Sequence, residues 1–101
     1  MNSVEYEAFL HRTLTLMENA VNSMKCDKHI IAYHKILGIQ QKLEQIDIES
    51  QKKLIEEKEI IKRIILYLKD GKYRDAVKLL NDVKTKLYQQ YGKVKSENTR
   101  N

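Results

Sequence analysis

Cys26, His29 and His34 come nearest, by type and spacing, to a metal site in this 101-residue chain. Cys26 and His29 are three apart and would share one side of a helix, whereas His34 is five beyond His29 and about 140° around the axis. Zinc needs four convergent ligands in a structural site, or three and a water in a catalytic one. His11 and Asp27 would have to complete the set, and neither brings a paired spacing. No Glu is followed three positions later by His, the pattern that a di-metal helical bundle requires. The sequence therefore predicts neither metal nor cofactor.

Nucleophilic and phosphate chemistry have no better footing. No Ser stands between glycines, and the glycines at 38, 71 and 92 are too dispersed to build a phosphate loop. Glu56, Glu57 and Glu59 fall on the polar side of one helical segment, where Glu59 is in register with Lys62 and Arg63. A solvated face accounts for them, and the chain is expected not to be an enzyme.

Basic residues carry the clearest signal that packing does not explain. The net charge of +5 lies in the last third: residues 1–26 carry −1, 27–48 carry 0, 49–70 carry +1 and 71–101 carry +5. Lys72, Arg74, Lys78, Lys84, Lys86, Lys93, Lys95 and Arg100 are placed to meet phosphates, and an exposed Tyr there can stack on unpaired bases. Tyr73 and Tyr91 fall on the expected core face, which leaves Tyr88 as the tyrosine for that role. Asp75 and Asp82 interrupt the charge, and the lysines spread around the helix instead of forming one stripe. Nucleic-acid binding through Arg74, Lys78, Tyr88, Lys93, Lys95 and Arg100 is therefore the alternative reading.

Four amphipathic segments must position these groups. Hydrophobic residues are 42% and charged residues 33% of the chain, with no Pro and three Gly, which suits helices joined by minimal turns. Ser3 is the expected first cap, and Tyr6, Leu10, Thr13, Met17, Ala20 and Met24 recur at helical spacing behind it. Asp27 is the expected cap of a second helix whose core positions are Ile30, Tyr33, Ile36, Leu37, Ile39, Leu43 and Ile46. Asp47 and Ser50 are candidate caps of a third, carrying Leu54, Ile61, Ile64, Ile65 and Leu68. Gly71 suits the left-handed end of that helix. Tyr73, Ala76, Val77, Leu80, Val83, Leu87 and Tyr91 mark a fourth, with Gly92 closing it. Gly71-Lys72-Tyr73-Arg74-Asp75-Ala76 with Leu79-Leu80 resembles the hairpin of tetratricopeptide-type repeats over about ten residues, but has no second copy in the sequence. No other internal repeat stands out.

These elements predict an all-α antiparallel bundle of four helices near 3–25, 28–46, 50–69 and 72–91, forming one domain over residues 1–92. Residues 93–101 would be a flexible basic tail. Neither Gly nor Pro forces a turn at 47–53, so the alternative is three helices with a long central one, paired in a dimer. The third helix carries apolar residues on both flanks of its stripe, Ile55 and Leu66 on one and Ile60 and Tyr67 on the other. Those four are the expected protein-binding residues, most simply in a homodimer. The expected function is a non-catalytic interaction module: a small regulator, inhibitor, immunity factor or chaperone-like adaptor whose partner the sequence does not name. No segment approaches the apolar length of a membrane span and no leader is recognisable, so a cytoplasmic location is expected. The single cysteine fits a reducing compartment.

Overall fold

The computed structural model describes residues 1–100. It is all-helical, in the order α1 (Ser3–Lys25), α2 (His29–Gln45), α3 (Ile48–Lys53), α4 (Ile55–Lys69) and α5 (Tyr73–Thr99). The four long helices form a ring about 45 Å long in which α1 touches α2 and α5, and α4 also touches α2 and α5. The centre is filled by Leu10, Met17, Ile36, Ile39, Leu43, Leu54, Ile61, Ile64, Leu80 and Leu87, all essentially inaccessible.

Local chemistry sets the boundaries. Asn2, not Ser3, caps α1: its side chain accepts from the Glu5 amide at 2.8 Å, and its own amide donates to Glu5 Oε1 at 3.0 Å. Asp47 caps α3, accepting from the Ser50 amide at 3.0 Å. The extended backbone of Ile46 and Asp47 reverses the chain, so the long central helix does not form. Gln51 then reaches back across the turn, donating to the carbonyls of Ile46 at 2.8 Å and Glu44 at 3.2 Å at the end of α2. Leu54 departs from helical geometry between α3 and α4 while its side chain is fully buried.

Two expectations at the ends change. Asp27 does not cap α2; it is left-handed (φ 59°) and terminates α1, and Lys28 occupies the cap position. Nor does α5 end at Gly92. It continues to Thr99, because Val94 still faces the bundle at 8% exposure and Asn98 hydrogen-bonds to Ser3 and Glu7. The expected frayed tail from Lys93 is thus the last turns of α5.

A second copy of the hairpin turn is present in the structure, although the residue motif at 71–80 occurs once in the sequence. Asp27 and Gly71 both have positive φ, and each is followed by an amide reaching back five residues, Lys28 to the Ser23 carbonyl and Lys72 to the Tyr67 carbonyl, both 2.8 Å. Lys28 (φ −94°, ψ 65°) and Lys72 (φ −86°, ψ 65°) then start the next helix in the same way. A shift of 44 positions relates the two turns and also brings buried core positions into the same register. Leu10 falls on Leu54, Met17 on Ile61, Ala32 on Ala76, Ile36 on Leu80 and Leu43 on Leu87, and all ten residues are buried. The bundle is two like hairpins, α1–α2 and α3/α4–α5, packed around a pseudo-two-fold axis. His29 and Tyr73 are equivalent residues in this register, and their rings stack on each other at 3.8 Å with 11° between planes.

Candidate functional site

Where the two turns meet, the first residues of α2 and α5 and the end of α4 enclose an open apolar groove of about 230 Å³. His29, Ile30, Tyr33, Leu68 and Tyr73 line it, with Lys69 at its rim. One wall is the His29–Tyr73 stack. Ile30, expected in the core, is 75% exposed, and Tyr73, also expected there, is 38% exposed. The reason is register: the buried positions of α2 are Ala32, Ile36, Ile39 and Leu43, and Ile30 is roughly 160° from Ala32 around the helix. A stripe drawn through Ala32 would have revealed Ile30 as a surface residue. Lys69 is the one lysine that lines the groove, and along the two turn segments Lys25, Lys28, Lys69, Lys72 and Arg74 outnumber Asp27, Asp70 and Asp75.

The four residues singled out on the third helix separate into two pairs. Ile60 and Tyr67 are half-buried and pack against the core, covered by neighbouring helices. Ile55 and Leu66 are 57% and 58% exposed. They share the outer face of α4 but are separated by about 16 Å of helix, and the ion pair of Glu59 with Lys62 (3.4 Å) stands between them. Exposed apolar residues this far apart do not by themselves form a docking patch.

The basic residues of α5 are also divided by their contacts. Lys84 is taken by Glu18 of α1 at 2.9 Å and Lys86 by Glu56 of α4 at 3.0 Å, so both join helices. Arg74, Lys78, Lys93, Lys95 and Arg100 are exposed, and the ammonium of Lys95 lies 5.6 Å from the ring centre of Tyr91. Tyr88 is 48% exposed and shares a shallow cleft with Tyr91 and His11 of α1. Cys26 is exposed at the end of α1, His29 is in the stack and His34 meets the edge of Tyr33. No group of three or more potential metal ligands occurs among the described residues. No described helix is long and apolar enough to cross a membrane.

No protein family, curated protein or solved structure matches this chain.

Proposed function

We propose that the protein is a non-catalytic protein-binding module, acting as a small regulator, inhibitor, immunity factor or adaptor, and that its partner docks where the two hairpin turns meet. The observation that carries this reading is the apolar groove beside Ile30, whose side chain lies open next to the His29–Tyr73 stack. Lys69 at the groove and the excess of basic residues along the two turns favour as occupant a protein segment that inserts an apolar side chain and is flanked by Asp or Glu. Ile30→Glu tests it cleanly. Position 30 is in the first turn of α2, where a carboxylate suits the helix dipole and folding is preserved. Affinity capture from nuclease-treated lysate of the native host should recover one partner with the wild type and lose it with Ile30→Glu. Equal recovery by both would remove the groove from the reading. Self-association through Ile55 and Leu66 is checked by sedimentation equilibrium of the wild type beside the Ile55→Glu, Leu66→Glu double variant.

Exposed Tyr88, next to Tyr91 and Lys95, favours the second reading, in which α5 binds single-stranded nucleic acid. Affinity for an oligonucleotide would then fall steeply with salt and weaken when Lys93, Lys95 and Arg100 are replaced together. Absence of binding at low salt excludes it.

A further inference from the structure

At the end of the bundle opposite the turns lies a larger cleft, about 560 Å³, between α3/α4 and the second half of α5. Its floor is the carboxylate of Glu57, only 4% exposed. Gln90 holds that carboxylate in place. The Gln90 amide nitrogen donates to Glu57 Oε2 at 3.0 Å and to the Lys53 carbonyl at 2.7 Å, while its oxygen accepts from the Tyr6 hydroxyl at 3.0 Å. No hydrogen bond reaches the second oxygen of Glu57 among the described residues, and that oxygen is not sealed from solvent. The adjacent cations are engaged elsewhere: Lys86 with Glu56 at 3.0 Å, and Lys53 over the ring of Tyr6 at 4.9 Å. One oxygen of Glu57 is thus left without a donor among the described residues while it lines the cleft.

The pseudo-two-fold provides an internal control for whether the fold needs it. The equivalent cleft in the other hairpin, about 290 Å³, has Thr13 where this one has Glu57 and Ile46 where this one has Gln90. Thr13 is buried too, but its hydroxyl is satisfied within its own helix by the Phe9 carbonyl at 2.8 Å. The same architectural position is thus filled once by a self-satisfied, largely apolar pair and once by a fixed carboxylate that opens into a space about twice as large. Packing does not ask for the second arrangement.

We propose that this cleft binds a small zwitterion, with an ammonium or guanidinium N–H donating to the free oxygen of Glu57 and a carboxylate received by Lys93 at the rim. Charge decides for a zwitterion over a simple cation. Glu56 and Lys86 neutralise each other, which leaves Glu57 and Glu97 against Lys53 and Lys93, two charges of each sign around one space. The volume is within the roughly 300–1,000 Å³ of small-molecule sites, and the half-apolar wall includes Tyr6 and Val94.

The test uses the full chain, ¹⁵N-labelled, titrated with 4-guanidinobutyrate, which carries one guanidinium and one carboxylate, and with butylguanidinium, which keeps the guanidinium and lacks the carboxylate. The expected result is saturable movement of the Gln90 side-chain amide signal with guanidinobutyrate, weaker binding of butylguanidinium, and about a tenfold or greater loss of guanidinobutyrate affinity in Glu57→Gln. The double variant Glu57→Thr, Gln90→Ile transplants the pair of the other hairpin, so it should fold, by circular dichroism, and bind neither probe. No saturable shift with millimolar guanidinobutyrate, or Glu57→Gln binding as the wild type does, would overturn the proposal. Butylguanidinium binding as tightly as guanidinobutyrate would overturn the zwitterion.

Discussion

Two glycines of this chain have opposite stability consequences. Gly71 has φ +73° at the turn into α5, a conformation in which a Cβ is strained. Gly92 is within α5, where a Cβ would meet nothing within 4 Å. Gly71→Ala is expected to destabilise by about 1 kcal/mol or more, and Gly92→Ala to stabilise by up to about 1 kcal/mol, through helix propensity alone. Urea denaturation with matched slopes reads both. Tyr6 gives a pH dependence. Burial first, and the negative charge of Glu57 second, push its hydroxyl from 10.0 up to about 12. The folded-state value is raised above the unfolded one, so the stability tied to the neutral phenol is whole below pH 10 and is lost as pH rises through about 12. Tyr6→Phe should give up about 1 kcal/mol at neutral pH, for its bond to Gln90, and lose less stability than the wild type between pH 10 and 12. Parallel decline of the two proteins over that window would contradict the assignment.

At the level of helices, the end of α5 is the sharpest departure from what the sequence suggests. Gly92 and the polar run after it look like a stop, but the helix is held from outside, by Val94 on the bundle and Asn98 on Ser3 and Glu7. Deleting residues 93–101 is therefore expected to lower the urea midpoint clearly, and an unchanged midpoint would mean that these contacts contribute nothing. The same contrast explains what else was legible. Periodicity reads α1 almost residue by residue and also gives the end of α4, because the stripes through Leu10 and Met17, and through Ile61 and Leu68, are long and unambiguous. The expected single helix over 50–69 is instead α3 and α4, parted at Leu54, which stays in the buried stripe and so leaves no mark in the pattern. Periodicity misplaced Ile30 because α2 has apolar residues on two sides, and only the burial of Ala32, a small residue easily passed over, fixes the register. The Glu57 cleft was hidden for a different reason. Glu56, Glu57 and Glu59 read alike as a charged face, and the feature that separates Glu57, contact with Gln90 of α5, is tertiary.

Taken as a whole molecule, the bundle is two hairpins joined by the extended pair Ile46 and Asp47, and the packing of α1 on α5 between the hairpins is as extensive as the packing within each. A chain broken at that joint should still assemble: residues 1–46 and 47–101, mixed, are expected to regain the helicity of the intact protein, and two fragments that remain unfolded together would argue against hairpin autonomy. The stack of His29 on Tyr73 joins the two turns across the pseudo-axis, and it bears on how the chain folds in time. Each hairpin closes a short loop of its own, a step of low contact order that either half can take first. The stack is made only when the second turn arrives against the first, 44 positions away in the chain. Folding is therefore expected to start in either hairpin and to make this stack late. Truncating Leu80 should act on the early step, and replacing His29 by Ala should speed unfolding while leaving the folding rate nearly unchanged.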